Sequence, residues 1–216
     1  MTLFGNTREM QDARRKVVQD GYDSIGAEYL AARTTDGNDV ALLPEIVSNL
    51  SNGDRVLDAG CGAGIPVTAH LVGAGLETVG LDFSLAQLRF ARSLVPAATS
   101  TQADLAALPF RSESFQALVS HYAIIHVPRG DHHAIYREFH RVLGAGGIAL
   151  LCLGASDLPE DYDPQSWLGT PMFWSHYDAP TNLTMLGDAG FRIVWHRLIT
   201  DPMDHAHHLF VLATRL

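Results

Sequence analysis

The sequence predicts an α/β protein whose helices cover both faces of one doubly wound, mostly parallel sheet. Two observations carry that prediction. From Arg55 onward, short apolar runs alternate with helical stretches of about 10 residues, the pattern of βαβ units. The first apolar run leads into Val56-Leu57-Asp58-Ala59-Gly60-Cys61-Gly62-Ala63-Gly64. Glycines at alternate positions there permit positive φ and close approach of a ligand. A strand, such a loop and a following helix place a ligand at the mouth of a parallel sheet.

The elements follow in order. Thr7 to Arg33 reads as helical and mostly polar, interrupted near Gly21. Val40 to Leu50 is a second amphipathic helix with Leu43, Ile46, Val47 and Leu50 on one side. A turn at Asn52-Gly53-Asp54 leads into the first strand, Arg55 to Asp58. Ile65 to Val72 is a helix, Glu77 to Leu81 a strand, and Ser84 to Val95 a helix with Ser84 as N-cap. Strands at Thr99 to Ala103 and Phe115 to Ser120 precede a helix from Asp131, its cap, to Leu143. Arg141-Val142-Leu143-Gly144-Ala145-Gly146-Gly147 ends that helix with a glycine C-cap and opens the apolar strand Gly146 to Leu153. Ala155 to Tyr177 is irregular and rich in Asp, Pro and aromatics, and loops of that length are usually functional. Its acids Asp157, Glu160, Asp161 and Asp163 read as a solvated surface. Asp178 to Ala189 is a helix closed by Gly190, and Phe191 to Ile199 with His207 to Thr214 form a hairpin that adds an antiparallel edge strand.

At 216 residues, 47% of them hydrophobic, the chain suits one well-buried domain. Its parts are residues 1–50, N-terminal helices; 53–153, the ligand-binding core; and 154–216, a substrate loop, helix and C-terminal hairpin. A net charge of −9 without a basic patch argues against nucleic acid as partner. Arg14-Arg15-Lys16 reads as a solvated helix face. One lysine, Lys16, in an exposed segment argues against Schiff-base chemistry. No long apolar run predicts a membrane span, and Met1 to Gln19 lacks a signal-peptide core, so a cytoplasmic protein is expected. Cys61 and Cys152 are not expected to pair. His205, His207 and His208 read as surface histidines, because His208 points away from the other two and no CxxC or HExxH accompanies them. No metal is expected.

Asp58 identifies the ligand class. A carboxylate in the glycine loop repels a pyrophosphate but suits an ammonium group, such as that of S-adenosylmethionine. The segment resembles the nucleotide-binding signature of class I S-adenosylmethionine-dependent methyltransferases. Three further segments share the resemblance. Asp82 ends the second strand, where a carboxylate accepts ribose hydroxyls. Gln102-Ala103-Asp104-Leu105-Ala106-Ala107-Leu108-Pro109-Phe110 is similar to the segment that meets the adenine edge, and Arg141 to Gly147 to a turn common in the class. The resemblance covers Gly53 to Leu153 and implies a Rossmann-like, seven-stranded sheet with an N-terminal helical lid. It implies a cofactor site of Tyr22, Tyr29, Asp58, Gly60, Cys61, Gly62, Gly64, Asp82, Phe83, Asp104, Leu105 and Ser120. The product would be S-adenosylhomocysteine.

Tyr22 and Tyr29 share a helical face and either cover the cofactor or pack on the core. Arg33, one turn on, could reach the cofactor carboxylate. His121 and His126, after the fourth strand, are the candidate bases, although the apolar neighbours of His126 also suit a packed histidine. Tyr122, Trp174, His176 and Tyr177 are candidates to line the acceptor pocket. The stretch around Tyr22 and the arrangement of the fourth strand resemble those of the small-molecule, ubiquinone-biosynthesis-like (type 11) group, whose members methylate many unrelated compounds. Ser120-His121-Tyr122-Ala123 lacks the Asn/Asp-Pro-Pro-aromatic motif of amino-methylating nucleic-acid enzymes. Two alternatives stand beside this reading: a non-catalytic S-adenosylmethionine-binding domain that acts through a partner, and an NAD-dependent oxidoreductase. The latter leaves Asp58 and Asp104 without a role, and Ile65 stands where the dinucleotide fingerprint has its third glycine. Monomer and homodimer remain equally open.

Overall fold

The computed structural model describes residues 7–159, 164–203 and 205–216. Glu160, Asp161 and Asp163, read above as a solvated surface, lie outside them. Two helices, α1 (Thr7–Ser24) and α2 (Gly26–Ala32), precede a 3-10 turn at Val40–Leu42 that runs into α3 (Leu43–Val47). The alternating core follows: β1 (Arg55–Ala59), α4 (Val67–Gly73), β2 (Glu77–Asp82), α5 (Leu85–Leu94), β3 (Thr99–Gln102), β4 (Phe115–Ser120), α6 (His132–Val142) and β5 (Leu143–Gly154). A small hairpin of β6 (Gln165–Trp167) and β7 (Thr170–Met172), then α7 (Ala179–Asp188), β8 (Phe191–Thr200) and β9 (His207–Arg215), complete the chain.

The main sheet has seven strands in the order β3-β2-β1-β4-β5-β9-β8. β1 to β5 run parallel, and β9 runs against both β5 and β8. This is the Rossmann-like arrangement expected, with the antiparallel β8–β9 pair at one edge, β9 lying against β5 and β8 outermost. The period of two along each strand divides the core between the two faces. Leu57, Leu118, Leu151 and Val211 join α6 and α7 residues on one face. Val56, Val119, Leu150 and Phe210 join α3 and α4 residues on the other. The order reverses between β1 and β4, which opens a crevice at their carboxyl ends.

Several local expectations change. Helix α1 continues through Gly21, where a Cβ would press on Met172 and the Pro171 carbonyl of β7; the break falls at Ile25. Helix α6 has no glycine cap: its C-cap is Leu143, in extended conformation, and the chain passes straight into β5. Gly146 (φ +72°) lies instead within β5, at a shift of register against β4. Asp131 makes no capping bond, because its carboxylate accepts from Arg15 Nη2 at 2.8 Å. Ser84 and Asp178 do cap α5 and α7, accepting from the N–H groups of Gln87 and Thr181. The stretch read as irregular contains the β6–β7 hairpin, whose turn uses positive φ at Leu168 and Gly169. Met172 and Phe173 pack with Val18 and Ile25, which fastens this hairpin onto α1 as a roof over the crevice.

Candidate active site

The crevice contains a partly enclosed cavity. Its floor is the glycine loop, which is drawn over β2 by hydrogen bonds from the Gly60 and Cys61 N–H groups to the Leu81 carbonyl at 2.7 and 2.9 Å. Gly60 has φ +87°, and a Cβ there would collide with Ala123. Asp82, at the end of β2, accepts from the Gly62 N–H at 2.8 Å and the Ser84 N–H at 2.9 Å. Burial raises its pKa to about 6 against those hydrogen bonds. Phe83, Asp104 and Leu105 line the same cavity, as do Tyr22 and Tyr29. Gln19 of α1 donates to the Phe83 carbonyl at 2.8 Å and so ties the roof to the floor. Arg15, read as part of a solvated face, also lines the cavity; it pairs with Asp104 at 3.4 Å and with Asp131.

Four residues expected at the cofactor lie behind this wall. Asp58 shares the α4 face of β1 with Val56 and is wholly buried; its Oδ2 accepts from the Thr68 hydroxyl at 2.6 Å. Its Oδ1 has no hydrogen-bond partner among the described residues. Cys61 packs against Gly80, Gly64 against Ala91 and Val95, and the Ser120 hydroxyl donates to the Ala59 carbonyl at 2.8 Å. They shape the loop without lining the cavity.

Burial raises the Asp58 pKa to about 7, with the Thr68 hydrogen bond opposing. The unfolded value is about 4, so the folded chain binds this proton more tightly than the unfolded one. Asp58 therefore contributes stability that falls as pH rises from about 4 to about 7 and then levels off; Asp82 acts in the same sense, and the buried histidines His121 and His126, whose pKa values are lowered, act against it. Thermal unfolding of the ligand-free parent and of Asp58→Asn at about pH 5 and pH 8 should show the Asp58 contribution as a difference, the variant losing less or gaining more stability than the parent. Equal changes in parent and variant would contradict the assignment to Asp58.

A second, smaller cavity shares Tyr22, Tyr29, Tyr122 and His126 with the first and extends to Arg33, Trp167, Trp174, Asp201, Met203 and His208. Tyr22 meets Tyr29 edge-on at 5.3 Å and Trp167 at 5.9 Å; Trp167 meets Trp174 at 6.0 Å. Tyr122 adopts φ +54°, a costly conformation for a bulky residue and one typical of functional sites. The Arg33 guanidinium stacks 4.3 Å from its ring. His126 stands on the shared wall, with Nε2 2.9 Å from the Tyr22 hydroxyl and Nδ1 2.7 Å from the Phe173 carbonyl. Burial lowers its pKa to about 4.

The remaining candidates are placed differently. His121 lines neither cavity. Its Nδ1 lies 3.1 Å from Arg33 Nη2, and arginine can only donate, so Nε2 must carry the ring proton. No lone pair is left for base work, and burial beside the Arg33 charge lowers its pKa to about 3. Arg33 itself is ion-paired with buried Asp39 at 2.8 Å and lines the second cavity alone. His176 lines neither cavity, since its Nδ1 bonds the Ser156 carbonyl at 2.7 Å and it bridges to Leu158. Tyr177 lies under Arg129 and beside His132, also away from both. His208 is not on the surface: it is buried, edge-on to Tyr122 at 5.1 Å and 3.9 Å from Asp201. Among the described residues no group of three His, Cys, Asp or Glu could hold a metal ion, and no helix is long and apolar enough to cross a membrane.

Fold and cavity together define a doubly wound α/β protein with a recess at the switch point of its sheet, where proteins of this architecture bind their ligands. Residues 56–147 match the family described as "Methyltransferase domain". An uncharacterized methyltransferase of Synechocystis is 32% identical over 156 residues, 67% of this chain and 70% of that protein. The malonyl-[acyl-carrier protein] O-methyltransferase of Pseudescherichia vulneris is 36% identical over 113 residues, 52% of this chain but only 43% of its own length. The 1,6-didemethyltoxoflavin-N1-methyltransferase of Burkholderia thailandensis, solved with bound 1,6-didemethyltoxoflavin and S-adenosylhomocysteine, shares the fold at a TM-score of 0.68 and 17% identity, over 100% of this chain and 92% of that one. The chain belongs to the class I S-adenosylmethionine-dependent methyltransferases, and S-adenosylmethionine is its methyl donor.

Proposed function

We propose that this methyltransferase acts on a small molecule, with the donor in the first cavity and the acceptor in the second. The observation that carries this reading is the shared wall of Tyr22, Tyr29, Tyr122 and His126, across which the two cavities meet. The donor set fits the cofactor. Asp82 would hold the ribose hydroxyls, Asp104 and Leu105 the adenine edge, and Phe83 the base face. Gly60 and Gly62 offer bare backbone to the methionine half. When bound, S-adenosylmethionine supplies a methyl already activated on a sulfonium. The protein's contribution is then orientation, proximity and exclusion of water. The Tyr22, Tyr29, Trp167 and Trp174 rings enclose the meeting point, and a recess walled by side chains in this way suits a small molecule.

The test is release of S-adenosylhomocysteine when the enzyme and S-adenosylmethionine are mixed with the dialysable or the retained fraction of a cell extract. Release should require the dialysable fraction, and Trp167→Ala should abolish it while leaving S-adenosylhomocysteine binding intact. Release with the retained fraction alone would contradict the reading.

A further inference from the structure

The hydrogen bonds of His126 fix its tautomer. The Phe173 carbonyl has no proton to give, so Nδ1 carries the ring proton and donates it at 2.7 Å. Nε2 is therefore a bare lone pair, and the Tyr22 hydroxyl, 2.9 Å away, donates to it. The phenolic oxygen is left with free lone pairs, and Tyr22 is one of the residues that line both cavities. This is the arrangement of a group that can take a proton from a bound acceptor while handing its own to the imidazole. It contrasts with His121, whose lone pair is occupied by Arg33.

The surroundings narrow the acceptor. The second cavity is walled by the rings of Tyr29, Tyr122, Trp167 and Trp174, an environment that favours a flat aromatic body. We infer that Tyr22 and His126 form a proton relay serving an aromatic acceptor that carries an ionisable hydroxyl. The inference rests on the second cavity being the acceptor site. An acceptor oxygen forms its bond to the methyl carbon as the carbon–sulfur bond breaks, and that electron pair stays on sulfur. The acceptor's hydroxyl proton passes to Tyr22 Oη, and the Tyr22 proton passes to His126 Nε2. The positive charge lost from the sulfonium is regained on the imidazolium, so the enclosed site keeps its charge. Loss of the Nε2 proton to solvent then resets the relay.

The parts come from three segments. His126 ends a 3-10 turn after β4, Tyr22 belongs to α1, and Phe173 follows β7. The relay therefore exists only when the roof is docked on the core. Tyr22 is the catalytic residue, since its oxygen meets the acceptor, and His126 acts through it.

The test uses the full chain with S-adenosylmethionine and a panel of 4-nitrophenol, methyl 4-hydroxybenzoate and 1-naphthol, following S-adenosylhomocysteine formation. Tyr22→Phe and His126→Gln should lower kcat about 100-fold or more, the scale of losing a general base. KM for S-adenosylmethionine and the S-adenosylhomocysteine affinity should change little. Independently of turnover, 15N NMR of the parent should show His126 protonated at Nδ1 and bare at Nε2, with the Nε2 signal moved by Tyr22→Phe. A protonated Nε2, or variants with kcat within about threefold of the parent, overturns the relay. Failure of every phenol to react, with S-adenosylhomocysteine still bound, overturns the aromatic hydroxyl. Failure to bind S-adenosylhomocysteine instead overturns the underlying placement of the two ligands.

Discussion

Asp82→Ala lowers affinity for S-adenosylhomocysteine about 100-fold or more, as measured by titration calorimetry. The ribose hydroxyls lose a charged acceptor, and a hydrogen bond to a charged group contributes about 1.5–3 kcal/mol. Two such bonds correspond to at least about 3 kcal/mol, or roughly two powers of ten in affinity. The effect on folding should be much smaller, because two consequences oppose each other. The Gly62 and Ser84 N–H groups lose their partner. The ligand-free chain is also relieved of a carboxylate whose ionised form is disfavoured by burial, as its pKa of about 6 records. The binding defect is thus separable from unfolding. In the parent, affinity should fall about tenfold for each pH unit below about 6, since the carboxyl must lose its proton to accept both hydroxyls. An Asp82→Ala chain that binds as well as the parent would show that the ribose lies elsewhere.

Arg33→Met should destabilise the fold by about 3–5 kcal/mol, the cost of leaving one member of a buried ion pair alone. Asp39 has no exposed surface, and Arg33 is its ion-pair partner at 2.8 Å. The same guanidinium donates to His121 and covers the Tyr122 ring. For a chain of this size the loss corresponds to a melting temperature lower by roughly 6–20 °C. Adding Asp39→Asn should recover part of it, because the stranded charge is then gone; the double-mutant cycle measures the coupling. The exposed pair Lys16–Asp20, also at 2.8 Å, gives the contrast, and Lys16→Met should change stability by no more than about 0.5 kcal/mol. Similar losses at both sites would mean that the Arg33 pair is not buried in solution.

The parts legible in the sequence are those whose information is local. The strand–glycine loop–helix unit and a carboxylate at the end of β2 are set by spacing along a few residues, and they placed Gly60, Gly62 and Asp82 on the cavity wall. Asp58 shows the limit of spacing. It belongs to the same motif, but the alternation of β1 turns it to the α4 face with Val56. His121 and His126 follow the same strand, and which of them enters the site depends on the positive φ of Tyr122 and the 3-10 turn beyond it. Neither has a local signature. Arg15 looked solvated because its acidic partners, Asp104 and Asp131, come from distant loops. Trp167 carried a signal, as an aromatic in a polar stretch, yet its place against Tyr22 and Tyr29 follows from the docking of β6–β7 on α1. For His208 the alternation correctly set it opposite His207; only the fold shows that its side is the buried one.

The most direct measurement is calorimetric titration of the purified chain with S-adenosylhomocysteine, with NAD as a parallel control. Micromolar binding of S-adenosylhomocysteine, lost in Asp82→Ala, and no binding of NAD is the result expected. Binding of NAD alone, or S-adenosylhomocysteine binding that is indifferent to Asp82, would contradict the assignment of the first cavity to the methyl donor.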